Sequence, residues 1–315
     1  MVDHLEPLEL QLFEARVTPA TRTSYRSHYN SFVQFCHGRR MLLSQFTAAD
    51  YDKALSKYIT ELYRKGRSRG RAATTCSALV FYVPELKTHL PYSFGILKGW
   101  TRTQPGRSHV PLTWPITVLI AATLAQSGFR GMGLATLLAF DCYMRINEFV
   151  HLRIADIEIR SGRPTFIRIL KAKSGGNQGV KVANHDVDLL LQRWTRHRQA
   201  NAAPDQPLFD IPSHSHYGHM FKQTVTALDL AACHYVPHSL RHGGATHSLD
   251  NNLPMTSIIQ RGRWRSLQSA SRYLQAGLAI RLDAVIPRRR MSQATEWCKA
   301  EHFHSWMSNA LFPDE

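Results

Sequence analysis

A polar segment near residue 100 divides this chain into two parts with different hydrophobic patterns. Residues 101–112, with the sequence TRTQPGRSHVPL, show no apolar periodicity and combine Pro, Gly and cations, which is typical of an interdomain linker. The first hundred residues repeat apolar side chains at helical spacing, and they carry two helix-start signals, Thr18-Pro19 for a first helix and Thr47-Ala48-Ala49-Asp50 for a second. They predict a small helical N-terminal domain over residues 1–100.

Residues 113–286 mix helical and β patterns and predict a second domain. Helices are indicated from Trp114 to Gln126, over 131–150 and from Asp186 onward. Between them lie three short β-branched segments separated by turn sequences, at 157–159, 166–170 and 180–183. The sequence thus predicts a mainly α chain whose second domain is α+β, with one small antiparallel β-sheet. Residues 287–315 form a C-terminal tail to which the sequence assigns no role.

The charge of the chain is the first indication of a partner. Lys plus Arg number 39 against 23 Asp plus Glu, a formal net charge of +16. Such a chain attracts polyanions, because each phosphate that it neutralises releases a condensed counterion, and nucleic acid is the favoured partner. A basic surface with no specific ligand, or one attracted to anionic membranes, is the alternative.

Positive charge is concentrated in a basic run between the second and third predicted helices. The third helix is predicted over residues 72–83, and five cations precede it: Arg64, Lys65, Arg67, Arg69 and Arg71. Runs of this kind are usually solvated loops, but in so basic a chain we expect contact with DNA phosphates.

Cysteine usage and hydropathy predict a soluble, intracellular protein with no membrane partner. The five cysteines are far apart and form no CxxC pair, so neither a disulfide framework nor a cysteine zinc site is expected. The N-terminus lacks a signal-peptide core, and no apolar run approaches the length of a membrane span.

Four segments carry side chains suited to chemistry on a phosphate. They are CYMRINE at 142–148, KAKSGG at 171–176, PHSLRHGG at 237–244, and GRWRS at 262–266 followed by SRYL at 271–274. Each alone has an ordinary explanation: a surface ion pair, a solvated turn, a capped core helix or a packed tyrosine. The occurrence of all four segments in this order requires a different explanation.

Their order and spacing resemble the tyrosine recombinase, or phage integrase, family of DNA breaking and rejoining enzymes. An Arg at a helix end is followed by a Lys in a β-turn, by His-x-x-Arg, by a Trp, and by a Tyr nine residues later. The resemblance covers about residues 113–286. Residues 1–100 look, more loosely, like the family's helical core-binding domain.

The resemblance implies a role for each matching position. Arg145 and Arg241 correspond to the two phosphate-binding arginines, and Tyr273 corresponds to the nucleophile. His238 matches the family's acid–base histidine. Trp264 stands at a position that is His in many members and Trp in some.

Three further positions follow from the same resemblance. Lys173 matches the turn lysine that protonates the leaving 5′ oxygen, with Lys171 as the alternative because a two-residue shift is easy in a turn. Glu148 and His242 stand where supporting residues are found. One departure precedes Arg145: the residues Cys-Tyr-Met replace the Thr-Gly pair of many members, which could alter how the helix begins.

This set of residues matches the needs of phosphoryl transfer to a tyrosine. A free tyrosine has a pKa of about 10, so attack at neutral pH requires help in removing its proton. Two guanidiniums stabilise charge on the pentacovalent phosphorus, a task that metal ions perform elsewhere, and a lysine protonates the leaving alkoxide. The expected product is a 3′-phosphotyrosine, and the expected reaction uses no ATP, metal or other cofactor.

The resemblance also implies the partners. The expected substrate is double-stranded DNA, and family members usually act as tetramers on two duplexes, so a homo-oligomer on DNA is expected. The predicted function is site-specific DNA recombination or integration, in the nucleus of a eukaryote or the cytoplasm or nucleoid of a bacterium. The target sequence is not readable from the chain.

Three alternatives remain beside this prediction. His214, His216 and His219 form an H-x-H-x-x-H cluster that could ligate zinc in a metal-dependent nuclease. A catalytically silent, recombinase-derived DNA-binding protein would keep the motifs without the activity. A type IB topoisomerase shares the chemistry, although the small helical N-terminal domain favours a recombinase.

Overall fold

The computed structural model describes residues 6–105, 109–170, 178–274 and 285–312. The chain separates into two units, residues 1–107 and 108–315, each with an apolar core. Their boundary falls inside the segment 101–112 predicted to be a linker. Among the described residues, no helix has both the length and the apolar character that crossing a bilayer requires.

The first unit is built from helices in its described part. They are α1 (Pro7–Glu14), α2 (Pro19–His37), α3 (Ala48–Arg64), α4 (Arg69–Tyr82) and α5 (Pro91–Thr103), with 3₁₀ turns at Leu43–Gln45 and Pro84–Thr88. The predicted helix starts are confirmed, because Thr18 and Thr47 each accept a hydrogen bond from a backbone N–H of the first turn. Helix α5 extends to Thr103, three residues into the segment predicted to be a linker.

A buried aspartate fixes the start of α5 in this unit. Asp52 is 2% exposed and accepts hydrogen bonds from the backbone N–H of Tyr92 at 2.9 Å and of Ser93 at 2.8 Å. These groups are orphan donors at a helix N-terminus, so the carboxylate satisfies them and ties α3 to α5. Leu55 and Leu79 fill the adjacent core.

The basic run is not the open loop that the sequence suggests. Arg64 is the last residue of α3, and Arg69 and Arg71 lie in the first turn of α4, which Ser68 caps. Helix α4 thus starts three residues earlier than predicted, since the serine cap outweighs the low helix propensity of Gly70. All five cations remain exposed.

The second unit combines helices with a small sheet. Its elements are α6 (Trp114–Gln126), α7 (Arg130–Asp141), α8 (Ile146–Val150), β1 (Ile157–Arg160), β2 (Arg163–Ile169), β3 (Gln178–Lys181), α9 (His185–Asn201), α10 (His214–Ala227), α11 (His238–Asp250), α12 (Met255–Gly262), α13 (Leu267–Ser271), α14 (Arg288–Trp297) and α15 (Ala300–Leu311), with 3₁₀ turns at Ile154–Asp156 and Ala231–Cys233. The predicted fold, mainly α with one small antiparallel sheet, is confirmed.

The three strands pair in chain order, β1-β2-β3, and both pairings are antiparallel. Ile167 on β2 lies between Ile157 and Val180 on its two neighbours. All three side chains are buried, so one face of the sheet packs on the core of this unit.

The helix predicted over residues 131–150 is in fact two helices. Helix α7 ends at Asp141, and Tyr143 then adopts a left-handed backbone with φ of 48° before α8 begins. Cys142, Tyr143 and Met144 are all buried. Because the apolar pattern continues through the break, the sequence does not reveal it.

The C-terminal tail packs on the second unit. Helices α14 and α15 contact α6, and Trp297, Phe303, Met307 and Leu311 join the same apolar core as α6 and α7. In the described residues, the tail is therefore part of the second unit's core and not a separate module.

Candidate active site

The break between α7 and α8 places Arg145 at a helix start. Arg145 is the N-cap of α8, and its backbone N–H donates to Glu148 Oε2 at 2.9 Å. Its guanidinium donates to Glu148 Oε1 at 2.6 Å. The predicted Arg145–Glu148 pair thus exists, but as a capping arrangement with a buried carboxylate and not as a surface pair on a helix face.

Helix α11 supplies His238, Arg241 and His242 from its first turns. Two glycines let this helix approach the rest of the unit. A Cβ at Gly243 would overlap the carbonyl oxygen of Leu112, and one at Gly244 would overlap that of Phe140. The glycine pair of the HSLRHGG motif therefore permits the close packing that positions the motif's His and Arg.

Arg241 is fully buried and held by main-chain acceptors. Its guanidinium donates to the carbonyl of Tyr143 and, at 2.5 Å, to that of Gly262, and it lies 4.0 Å from Glu148 Oε2. Burial and the nearby charge of Arg145 lower the pKa of Arg241 to about 9, while Glu148 opposes that shift. Main-chain carbonyls and a carboxylate thus fix the direction of this side chain.

A third guanidinium, which sequence reasoning did not single out, shares the same carboxylate. Arg263 donates to Glu148 Oε2 at 2.7 Å, and its side chain is 4% exposed. Burial alone would raise the pKa of Glu148, but Arg263, the N–H of Arg145 and the charge of Arg241 hold that pKa below its ordinary value. Glu148 is therefore a buried carboxylate, ionised and surrounded by three arginines.

Trp264 and Tyr273 form the opposite side of the site. Their ring centroids are 4.9 Å apart, and Arg241 lies 4.7 Å from the Trp264 ring and 5.2 Å from the Tyr273 ring. Trp264 also stacks on Tyr143, and a Cβ at Gly262 would overlap its ring. The glycine before Arg263 is thus required by the indole that packs over it.

Histidines surround the Tyr273 ring. The ring of His242 lies 4.5 Å from it, and that of His238 lies 5.5 Å from it. Burial lowers the pKa of His238 to about 4 and that of His242 to about 3, and neighbouring imidazoles and arginines add to both shifts. Both side chains are therefore neutral at pH 7.

His109 is a further neighbour that the sequence analysis missed. Its ring lies 5.2 Å from that of His238 and 5.7 Å from that of His242. It lies within the segment predicted to be a linker, so no helical or strand pattern marked it. Leu112 N–H donates to the carbonyl of Ser239, which holds the chain just beyond His109 against α11.

A cleft opens on this group of residues. Its lining consists of Arg145, Arg263, Trp264, Arg265, Ser269, Arg272 and Tyr273. Four of these residues are cationic, so the cleft suits a polyanion. Within the part of the chain that the structure describes, Trp264 Nε1 and Arg241 Nε are buried without a hydrogen-bond partner.

The structure thus brings together Arg145, His238, Arg241, Trp264 and Tyr273, with Glu148 and His242 beside them. Lys173 and its alternative Lys171 lie outside the described residues, in the gap 171–177. The five basic-run cations lie in the first unit, at the α3–α4 junction.

The histidines of the alternative metal site lie at the start of α10. His214, His216 and His219 fall in its first two turns, and Phe129 packs against His216. Across the described ranges, no group of three or more His, Cys, Asp or Glu side chains is arranged to hold a metal ion.

Solved structures of DNA recombinases share this fold. A Tn1549 transposon integrase, solved with circular intermediate DNA, matches with a TM-score of 0.59 and 14% identity over 84% of this chain and 94% of its own. A lambda integrase dimer bound to a core site matches with a TM-score of 0.58 and 15% identity over 85% of this chain and 75% of its own. XerH bound to a palindromic difH substrate matches with a TM-score of 0.55 and 15% identity over 85% of this chain and 75% of its own.

Sequence comparison identifies the family. No curated protein is similar enough to this chain to count as a relative. The sequence model of the phage integrase family, however, matches residues 120–277, half of the chain, a range that starts within α6, includes the sheet and ends just beyond Tyr273. The chain therefore belongs to the phage integrase family and is a tyrosine-type DNA recombinase.

Proposed function

We propose that this recombinase cuts a DNA strand by attack of Tyr273 on the scissile phosphate and rejoins strands through the resulting 3′-phosphotyrosine. The observation that carries the proposal is the convergence of Arg145, Arg241, His238 and Trp264 around the Tyr273 ring. These residues come from three separate segments of the chain, since α11 supplies both His238 and Arg241, and burial fixes Arg241 at the centre of the group.

The arginines supply the electrostatic part of the reaction. Arg145 and Arg241 bind the non-bridging oxygens of the phosphate, where negative charge grows in the transition state. The Trp264 indole covers Arg241 and offers its buried, unpaired Nε1–H to a phosphate oxygen. Both Arg241 and Trp264 are buried, and a low local dielectric strengthens such interactions.

The histidines supply the proton transfer. His238 is neutral at pH 7 and lies beside the Tyr273 ring, so it accepts the phenolic proton as the tyrosine attacks. His242 packs on the same ring and supports its position. The leaving 5′ oxygen takes its proton from Lys173 or, in the alternative, from Lys171.

The nucleophile is tested with a suicide substrate, a nicked duplex that traps the covalent intermediate. The wild type forms an adduct that survives denaturation, and Tyr273→Phe forms none. Tyr92→Phe is the control, since Tyr92 is an exposed tyrosine of the first unit. Adduct formation by Tyr273→Phe, or its absence in the wild type, contradicts the proposal and favours a silent DNA-binding protein.

The choice between Lys173 and Lys171 is tested with a leaving group that needs no acid. A 5′-bridging phosphorothiolate releases a thiolate, whose conjugate acid is far stronger than an alcohol. Replacing the acidic lysine by Ala slows cleavage of the ordinary phosphodiester and leaves cleavage of the phosphorothiolate nearly unchanged. Replacing the other lysine affects both substrates equally.

The partner is double-stranded DNA, and we propose a tetramer on two duplexes as the active assembly, inside the cell where the DNA lies. A lambda integrase tetramer bound to a Holliday junction shares the fold, with a TM-score of 0.57, 15% identity and cover of 85% of this chain and 76% of its own. Exchange of strands between two labelled duplexes separates recombination from the alternative, a topoisomerase that only relaxes supercoils.

Arg64, Lys65, Arg67, Arg69 and Arg71 serve in this proposal as phosphate contacts. Lys65 already pairs with Glu61 at 2.7 Å, whereas Arg67 lies exposed between α3 and α4. We therefore expect Arg67→Ala to reduce the slope of log affinity against log salt by about 1, and Lys65→Ala to reduce it less. DNA affinity is measured at several salt concentrations. If both variants keep the slope of the wild type, the assignment is wrong.

A further inference from the structure

Three guanidiniums share one buried carboxylate at the centre of the second unit. Glu148 accepts from the Arg145 side chain at 2.6 Å and from Arg263 at 2.7 Å, and Arg241 lies 4.0 Å away. Arg145 and Arg241 have a role in the proposed reaction, as ligands of the phosphate. Arg263 has no role in that reaction. It nevertheless lies closer to Glu148 Oε2, at 2.7 Å, than Arg241 does, at 4.0 Å.

The charges in this group explain why a third arginine is needed. Three arginines and one glutamate carry a net charge of +2, and without Arg263 the net charge is +1. Because the Glu148 side chain is only 2% exposed, solvent screens these charges weakly. Without Arg263, Glu148 would offset more of the positive charge that Arg145 and Arg241 present to a phosphate.

The backbone conformation of Arg263 favours glycine, which indicates that an arginine stands at this position for the sake of its side chain. Arg263 is the C-cap residue that follows α12, and its backbone is left-handed, with φ of 54°, a conformation in which glycine is favoured. Its guanidinium also donates to the carbonyls of Arg261 at 3.1 Å and of Cys142 at 3.4 Å. These contacts tie the segment before Trp264 to the break that carries Arg145.

We propose that Arg263 is a positioning residue of the recombinase site, which balances the charge of Glu148 so that Arg145 and Arg241 remain available to the scissile phosphate. The inference rests on the proposed function, because it assigns the purpose of Arg263 through the phosphate that the other two arginines bind. Arg263 also holds Trp264, the next residue, over Arg241.

The test compares two suicide substrates that differ in the charge of the scissile group. One is an ordinary nicked duplex, and the other carries an uncharged methylphosphonate at the cleavage position. The rate of covalent adduct formation is measured for the wild type, Arg263→Gln and Arg263→Lys. Arg263→Gln removes the charge, whereas Arg263→Lys keeps it but loses the planar fork.

We expect Arg263→Gln to slow adduct formation on the phosphodiester by about tenfold or more, as expected for weakened electrostatic stabilisation of the transition state. On the methylphosphonate, the same variant loses about twofold at most, because less charge develops there. Arg263→Lys recovers most of the phosphodiester rate. Equal losses on both substrates, or no loss on either, overturn the inference, because a merely structural role does not depend on the charge of the substrate.

Two further variants keep the test decisive. Arg261→Gln removes a neighbouring arginine that pairs with Asp141 at 2.9 Å, not with Glu148, so any loss that it causes is expected to be equal on both substrates. If Arg263→Gln does not fold, Arg263→Gly removes the same charge and relieves the left-handed backbone. The charge-dependent loss must then appear in the glycine variant, and its absence there overturns the inference.

The result also distinguishes this inference from the proposed function. If the wild type forms an adduct that Tyr273→Phe loses, while Arg263→Gln matches the wild type on the phosphodiester, the inference about Arg263 fails alone. If the wild type forms no adduct on the phosphodiester, the proposed function fails, and the inference fails with it.

Discussion

The two sides of the candidate site differ in how they are held. The side that we propose binds the phosphate, called the phosphate-binding side, consists of Arg145, Glu148, Arg241 and Arg263, and buried ion pairs with main-chain hydrogen bonds fix it. The side of the proposed nucleophile, called the nucleophile side, consists of Trp264, Tyr273, His238 and His242, and mainly ring contacts hold it. Groups that stabilise charge must be fixed before the reaction, because reorganising them would cost the energy that they supply.

The largest expected effect comes from removing the carboxylate of the phosphate-binding side. Glu148→Gln leaves three guanidiniums, of which Arg241 is fully buried, without their counter-charge. Breaking a buried ion pair from one side costs about 3–5 kcal/mol, so the free energy of unfolding in urea falls by that amount. Tyr273→Phe, on the nucleophile side, changes it by less than about 0.5 kcal/mol. Similar values for the two variants would remove the distinction between the sides.

A smaller effect is expected where the two sides meet. In Gly262→Ala, the added methyl overlaps the Trp264 ring, so the indole must shift from Arg241 and Tyr273. We expect a loss of about 1–3 kcal/mol in stability and a slower single-turnover cleavage. Adding Trp264→Phe makes room for the methyl and recovers part of the stability. A double variant less stable than Gly262→Ala contradicts the overlap as the cause.

The histidines of the nucleophile side predict a pH dependence of stability. The pKa of His238 is about 4 and that of His242 about 3, below the ordinary histidine value of about 6.5. As the pH falls from about 6.5 to 4, the unfolded chain takes up protons that the folded chain does not, so stability falls in that window. The groups that face these histidines are His109, Arg145, Arg241 and Tyr273.

This dependence is measured as the difference between urea midpoints at pH 7 and pH 5. His242→Gln cannot be protonated at these pH values, so the difference is expected to shrink in this variant. The exposed His185→Gln serves as the control and leaves it unchanged. If the wild type and His242→Gln lose the same stability between pH 7 and pH 5, His242 is not a source of the pH dependence.

The smallest effect is expected for a single neutral hydrogen bond on the nucleophile side. Thr246 Oγ1 donates to the carbonyl of Tyr273 at 3.3 Å. Thr246→Val keeps the volume and removes this bond, which costs about 0.5–1.5 kcal/mol in the free energy of unfolding. A loss as large as that of Glu148→Gln would mean that the nucleophile side is held as firmly as the other side.

Residue patterns predicted the fold class and the members of the site, but not the way in which the members are held. The strands are marked by β-branched runs between turn residues, and the helix starts by Thr18 and Thr47. The order of motifs located Arg145, Arg241 and Tyr273. The break after Asp141 was missed, because Tyr143 is apolar and buried although its backbone is left-handed.

Arg263 and His109 show the limit of prediction from spacing. An arginine one residue before Trp264 reads as a surface cation, and only the fold shows it buried on Glu148, 115 residues away in the chain. His109 lies in a segment without periodicity, and only packing against α11 places it beside His238.

By itself, the sequence determined the family, the reaction type and the candidate nucleophile, because these depend on residue types in a fixed order. Tertiary structure alone decided which charges are buried together, which histidines are neutral and where the tail packs. Burial and through-space charge set those properties, and both depend on contacts between segments that are remote in the chain.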